Sequence, residues 1–205
     1  MKFGFKNSKI DGTELVFSAP ESLPLPDEFT LVDFIPKAID QGQYPTCVPC
    51  SLSVNINWKL NMSDGNNKND NDIDIFQIFD NGGDDEGMTF KDAFKFLKQE
   101  GVDTNRGKFK INNYGMINNM LSLKYAIYFN GPCVGALPVY NTSVVDFWNK
   151  YNGSFEGGHA IAIVGWNKEG FIIRNSWGRY YGDKGCSIIP YDDINYFLEI
   201  WTIIQ

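Results

Sequence analysis

Residues 157–166 read Gly-Gly-His-Ala-Ile-Ala-Ile-Val-Gly-Trp, which places an imidazole at the start of a continuous apolar run. A run of this length, introduced by glycines, is typical of a buried strand. Similar aliphatic and aromatic runs occupy 134–140, 171–174, 186–189 and 197–204. Gly, Asn and Asp residues separate them, so the second half of the chain is predicted to be rich in strands.

The first half carries helical patterns instead. Apolar residues from Cys47 to Leu60 cover much of a helix surface, and Thr46 is the predicted N-cap. Pro49 is tolerated only in a first turn, so the helix is expected to begin close to Cys47.

A second helix is predicted after Thr89, which forms a near capping box with Asp92, and it is expected to stop at Gly101. Shorter helical patterns occur at 114–122 and 143–150. Helices followed by strands predict an α+β fold, in which a site is expected between a helical lobe and a sheet lobe.

One domain is expected over residues 26–205, preceded by residues 1–25 as an N-terminal extension or short arm. The prolines near residue 25 favour an extended chain there. The Asn- and Asp-rich stretch 63–72 has no apolar period and is predicted to be an exposed loop.

Composition limits the possible functions. The 205 residues are 43% hydrophobic and 15% aromatic, which is ample for a packed core and disfavours disordered or coiled-coil structure. Acidic residues outnumber basic ones by 25 to 18, and a net charge of −7 argues against nucleic acid as a partner.

The chain is expected to be soluble and cytoplasmic. Charged residues interrupt the first twenty positions, so no signal peptide is predicted, and no stretch is apolar enough to suggest a membrane span. The four cysteines are expected to stay reduced, since their number is too low for a disulfide scaffold in a chain of this length.

Three segments carry residues suited to nucleophilic catalysis. Residues 41–47 deliver Cys47 to a helix start, where the helix dipole favours a thiolate. His159 is the single histidine of the chain. Asn175 follows the run 171–174, and a hairpin would return its amide to His159. A nucleophile, a base and a group that orients the base are the three roles this chemistry needs.

An oxyanion formed on the attacked carbonyl requires N–H donors. The backbone N–H of Cys47 and the side-chain amide of Gln41 are the candidate donors.

These residues, together with Asn-Ser-Trp-Gly at 175–178, Gly-His-Ala at 158–160 and Gln-Gly at 41–42, resemble the papain-type cysteine peptidases. The resemblance covers about residues 26–205 and includes Glu86-Gly87-Met88 and Gly131-Pro132-Cys133. It implies a two-lobed α+β fold, with a central helix that starts at the nucleophile and an antiparallel sheet in the other lobe.

Carried over to this chain, the resemblance makes Cys47 the nucleophile, His159 the general base and acid, Asn175 the orienting amide and Gln41 an oxyanion donor. It implies peptide-bond hydrolysis through a thioester, with a protein or peptide substrate and no cofactor or metal. It assigns substrate contacts to Gly87, Met88, Ala136, Gly158 and Trp177, and Trp177 would also shield the His–Asn pair from water.

The chain departs from the family pattern at several positions. Pro45 and Val48 replace the usual Gly and Trp near the nucleophile, and Gly158 replaces a frequent Asp. Met88 replaces Gly and is expected to narrow a substrate subsite. The short leader is too small for the large propeptide of lysosomal relatives, so any latency is expected to arise differently.

Other functions stay open on the sequence alone. The departures at Pro45 and Val48 are compatible with a catalytically silent binding protein, and the same triad supports amidase or acyl-transfer chemistry in related folds. Cys47 and Cys50 form a CxxC, but a redox pair is expected in a βαβ pattern, which the chain lacks. Metal binding is disfavoured because Cys133 and Cys186 lack paired ligand spacing.

Overall fold

The structure is a computed structural model that describes residues 3–20, 23–63 and 72–204. Its strands in chain order are β1 Phe29–Thr30, β2 Val102–Thr104, β3 Gly107–Phe109, β4 Asn113–Met116, β5 Cys133–Val139, β6 Gly157–Trp166, β7 Gly170–Arg174, β8 Cys186–Pro190 and β9 Glu199–Ile204. Its α-helices are α1 Cys47–Ser63, α2 Ile75–Phe79, α3 Phe90–Gln99 and α4 Met120–Asn130. Short 3-10 helices occur at Val32–Phe34, Lys150–Asn152 and Tyr191–Tyr196.

An antiparallel sheet dominates the second half of the chain, as the apolar runs predict. Its order is β4-β9-β5-β6-β7-β8, and β1 pairs with the end of β6. Every residue of β5 is buried, because both faces of the central strands are covered. The β6–β7 and β7–β8 hairpins confirm the strands predicted at 171–174 and 186–189.

Helix α1 begins at Cys47, as expected from Pro49, and packs against β6. Its first eleven residues are all buried, so its serines and asparagines must bond within the protein. Ser51 Oγ donates to Val48 O at 2.8 Å, and Asn57 Nδ2 donates to Ser53 O at 2.8 Å. Satisfied in this way, a helix with polar residues can lie in the interior.

Helix α3 has the predicted start. The backbone N–H of Asp92 donates to Thr89 Oγ1 at 3.0 Å, which caps the helix. Phe94 on its buried face stacks on Tyr114 with 4.6 Å between ring centroids and meets the edge of Trp201 at 5.9 Å. These rings join α3 to β4 and β9.

Two helical predictions are wrong. Residues 113–116 form β4, because pairing with β9 outweighs the local helical pattern, and the helix follows only at Met120. Residues 143–149 form turns, with a 3-10 helix at Lys150–Asn152. Apart from its two ends, the loop predicted at 63–72 lies outside the described residues.

The N-terminal segment, residues 3–20, runs as extended chain over the surface of both layers. Phe17 N–H donates to Met116 O at 2.9 Å, and Met116 N–H donates to Leu15 O at 2.7 Å, which fixes the segment along β4. Glu14 pairs with Lys91 of α3 at 2.6 Å. Its first residues continue toward the junction of α1 and β6.

No helix within the described ranges is both long and apolar enough to cross a bilayer.

Candidate active site

The candidate site lies where the start of α1 meets the start of β6. Cys47, the first residue of α1, is fully buried, and backbone groups of Ala160, Gly4 and Val48 lie near enough to its sulfur to lower the thiol pKa. Ala160 follows His159 in β6. The helix and the strand therefore bring the thiol next to the segment that carries the imidazole.

His159 and Asn175 are brought together by the β6–β7 hairpin, as their spacing predicts. His159 Nε2 lies 2.7 Å from Asn175 Oδ1 in a fully buried position. The same oxygen accepts the backbone N–H of Ser176 at 2.7 Å, so it acts as an acceptor and Nε2 acts as the donor. The other ring nitrogen, Nδ1, has no hydrogen-bond partner among the described residues. It therefore has a free lone pair that can accept a proton.

Aromatic rings enclose this pair. Trp177 lies 4.8 Å from the imidazole centroid at a tilt of 31°, and the edge of Phe147 approaches at 5.6 Å. Trp177 thus lies against the imidazole, and its role in shielding the His–Asn pair from water stays a prediction. Phe147 was not anticipated from the sequence.

Gln41 lies behind the pair. Its Oε1 accepts the hydroxyl of Ser176 at 2.6 Å, and its Nε2 donates to Tyr44 O at 2.9 Å. Gln41 thereby links the loop before Cys47 to the residue after Asn175. Its role as an oxyanion donor stays a prediction.

The cleft between the Gly87–Met88 loop and the start of β6 is occupied by the beginning of the N-terminal segment. Phe5 N–H donates to Gly158 O at 3.3 Å, Lys6 N–H donates to Met88 O at 3.0 Å, and Met88 N–H donates to Gly4 O at 2.8 Å. Predicted substrate-contact residues on both walls are thus engaged by this chain's own backbone.

The Phe5 side chain fills a pocket in this cleft. Its ring lies 5.4 Å from that of Phe90, and it packs in one apolar cluster with Met88, Ala136 and Ala160. Ala160, Ala136 and Glu199 are aligned across β6, β5 and β9, so the two small residues leave space beside a buried carboxylate. Glu199 accepts Ser8 N–H at 2.5 Å and the indole N–H of Trp201 at 2.7 Å.

Sequence reasoning missed Gly4, Phe5 and Glu199. The acid within the apolar run 197–204 was the one available signal for Glu199.

Met88 was predicted to narrow a substrate subsite. The end of its side chain lies beside Gly82, and the narrowing stays a prediction.

Burial controls the ionisation of both reactive groups. Loss of water raises the pKa of the Cys47 thiol to about 11, although backbone hydrogen bonds act in the opposite direction. Burial also lowers the pKa of His159 to about 4, against the hydrogen bond to Asn175. The thiolate expected at the helix start is therefore not favoured in this covered form, because burial removes the water that would stabilise both charges.

The remaining cysteines are buried, like Cys47. Cys50 is buried with its sulfur 3.8 Å from Thr46 Oγ1, and burial raises its pKa to about 12. Cys47 and Cys50 are both free thiols. Among the described residues, no three His, Cys, Asp or Glu side chains gather as a metal site.

Comparison with known structures identifies this arrangement as a papain-like fold. A crystal structure of xylellain, a cysteine protease from Xylella fastidiosa, matches 99% of this chain and 96% of its own, with a TM-score of 0.84 and 21% identity. The papain-like α+β fold predicted from the sequence is confirmed.

Sequence comparison gives the family. The model for the papain family cysteine proteases matches residues 74–196, more than half of the chain, and the chain therefore belongs to that family. This span includes His159 and Asn175 and begins after Cys47.

Individual relatives match over shorter stretches. A gut-specific cysteine proteinase of Caenorhabditis elegans is 34% identical over 101 residues, which is 42% of this chain and 30% of the relative. A cathepsin B-like cysteine proteinase of Ostertagia ostertagi is also 34% identical over 101 residues, 44% of this chain and 54% of the relative. The matched part thus spans about half or less of these relatives.

Proposed function

We propose that this protein is a cysteine peptidase that hydrolyses peptide bonds with Cys47, His159 and Asn175, and that the N-terminal segment holds it in a closed form. The observation that carries the proposal is the His159–Asn175 hydrogen bond at 2.7 Å, which leaves Nδ1 unpartnered on the strand that flanks the sulfur of Cys47. Membership of the papain family supports the same assignment.

The proposed reaction has two covalent steps. Cys47 Sγ attacks the scissile carbonyl carbon as its proton passes to His159 Nδ1, and that proton then goes to the leaving amine. Water attacks the resulting thioester, giving a proton to Nδ1, and the carboxylic acid leaves as the thiol forms again. Asn175 keeps the ring in the tautomer that both steps require.

The segment is placed so that it is not itself cleaved. The backbone of Gly4 lies near the sulfur and lowers the thiol pKa, whereas its carbonyl oxygen accepts the N–H of Met88. The Gly4 carbonyl oxygen is therefore bound to the wall of the cleft. The segment therefore acts as an inhibitor and not as a substrate, and Phe5 indicates that its pocket takes a large apolar side chain.

Gly4 provides a test that leaves every proposed catalytic residue intact. A Cβ at Gly4 would lie 2.0 Å from Pro45 O, so Gly4→Ala cannot keep the segment docked. Ser18→Ala is the matched control, because Ser18 belongs to the same segment and is exposed. We expect Gly4→Ala to hydrolyse fluorogenic peptides that contain an aromatic residue faster than the wild type or Ser18→Ala does.

Two further variants assign the activity. Cys47→Ala in the Gly4→Ala background is expected to abolish hydrolysis, and Cys50→Ser is expected to be nearly neutral. A folded Gly4→Ala protein that cleaves no peptide would overturn the proposed function.

We also propose a cytoplasmic location, which the four unpaired thiols favour. The division into an N-terminal arm and one domain stays a prediction.

A further inference from the structure

We infer that a second site, separate from the cleft, binds a small ligand through its carboxylate or phosphate group. This site, the Arg174 groove, lies between residues 32–38 and the β7–β8 hairpin. It has a volume of about 750 Å³. Its floor is formed by side chains of β7 and β8, including Ile172, Arg174 and Ile188, and its rim includes the turn 179–184.

Arg174 is the central observation. Its side chain is 6% exposed, Nη1 donates to Lys184 O at 2.9 Å, and Nε is buried without a partner. No carboxylate of the described residues pairs with it. A buried guanidinium with one neutral acceptor lacks the counter-charge that burial normally requires.

A second partly buried arginine shows the usual arrangement. Arg106 pairs with Asp72 at 2.8 Å and also donates to Leu60 O and Asn61 Oδ1. Its charge is neutralised within the chain, whereas that of Arg174 is not. The difference points to a partner of Arg174 that comes from outside the protein.

The rim adds positive charge. Lys37, Arg179 and Lys184 are exposed side chains that line the groove with Arg174, whereas the acids that line it are Asp33 and Asp183. Cations therefore outnumber acids here, although the chain as a whole carries a net charge of −7. An anion entering the groove is attracted by the rim and can be bound by the guanidinium at the floor.

The chemistry of the groove defines the ligand class. The planar guanidinium presents paired N–H donors that match the oxygens of a carboxylate or a phosphate. Ile172 and Ile188 add apolar surface, so a ligand with an apolar body beside its anionic group fits better than an inorganic ion.

The test is isothermal titration of the full chain at low salt with phenyl phosphate, phenylacetate, inorganic phosphate and phenol. We expect saturable binding of the two aryl anions, weaker binding of inorganic phosphate and none of phenol. A preference for phenyl phosphate or for phenylacetate distinguishes phosphate from carboxylate ligands.

Variants locate the binding. Replacing the three exposed cations Lys37, Arg179 and Lys184 by Gln should weaken aryl-anion binding at least tenfold without unfolding the protein, and Arg174→Gln should abolish it. The matched control replaces Lys9, Lys95 and Lys168, which are also exposed but do not line the groove.

The inference would be overturned if the groove variant and the control variant bound the aryl anions with equal affinity. It would also be overturned if the wild type showed no saturable binding. Neither result bears on peptide hydrolysis, which Gly4→Ala tests separately.

Discussion

The side-chain oxygen of Asn175, Oδ1, accepts two hydrogen bonds, which fix the orientation of the side chain. His159 Nε2 and the Ser176 backbone N–H both lie 2.7 Å from Asn175 Oδ1, and the ring is further held by Trp177. Of the proposed catalytic groups, Asn175 is hydrogen-bonded to the imidazole. It is therefore a positioning residue, whereas His159 is proposed to carry the proton.

Because the two residues have different roles, we expect their substitution in the Gly4→Ala background to lower kcat to different extents. His159→Ala should lower kcat by about 10²–10⁴-fold, the usual contribution of a general base. Asn175→Ala should lower kcat less, with little change in KM, because the ring keeps its chemistry but loses its fixed tautomer. Steady-state kinetics with one peptide measures both.

Cys50→Ser serves as the control for these variants, because Cys50 is equally buried but is not proposed to react. An Asn175→Ala enzyme with unchanged kcat and a raised KM would show that Asn175 binds substrate and does not orient the base.

The pH dependence of the N-terminal segment follows from the groups that lie against it. In the covered form burial raises the pKa of Cys47 to about 11 and lowers that of His159 to about 4, so the two groups share one proton, which stays on the sulfur. The proposed ion pair of the uncovered form also holds one proton, on the imidazole. Because both forms bind the same number of protons, this pair makes uncovering independent of pH between about pH 5 and neutrality.

Asp84 does couple the segment to pH. The hydrogen bond that it accepts from Lys6 of the segment lowers its pKa, so protonation of Asp84 weakens that contact. Hydrogen exchange at the N–H groups of Phe5 and Lys6, corrected for intrinsic rates, should show protection that decreases as the pH falls below about 4, the ordinary pKa of an Asp carboxyl. Asp84→Asn should remove this dependence, and protection that increases on acidification would contradict the assignment.

The elements differ in how well the sequence predicts them. Strands β5 to β9 and helix α3 carry their own signals, namely apolar runs between turn residues and the Thr89–Asp92 cap. Strand β4 lacks such a signal, since its pairing with β9 joins residues far apart in the chain. Docking of the N-terminal segment could not be predicted from the sequence, because it depends on backbone hydrogen bonds and on a single phenylalanine, Phe5.

Within the site, the proximity of His159 and Asn175 follows from the hairpin that joins them. The ionisation of Cys47 does not follow from the sequence. The dipole at the start of α1 favours a thiolate, but the burial of Cys47 has the larger effect and raises the thiol pKa to about 11.

The whole molecule holds its reactive groups at the contact between a helical layer and a sheet. Phe94 joins α3 to the sheet through Tyr114 and Trp201 and is fully buried. We expect Phe94→Ala to lower the free energy of unfolding by about 3–5 kcal/mol, because the cavity it leaves cannot close fully. Urea denaturation measures this loss.

The matched control is Phe155→Ala, since Phe155 is 64% exposed. Its effect should stay within about 0.5 kcal/mol. Similar urea midpoints for the two variants would show that α3 and the sheet are not coupled through Phe94.

Alkylation of the Gly4→Ala protein with sub-stoichiometric iodoacetamide at pH 5, followed by mass spectrometry, most directly tests whether Cys47 and His159 share a proton once the cleft is open. An ion pair keeps a thiolate at this pH, so we predict modification at Cys47 alone and its loss in Gly4→Ala/His159→Ala. Equal modification of all four cysteines, or labelling of Cys47 that persists without His159, would contradict the account.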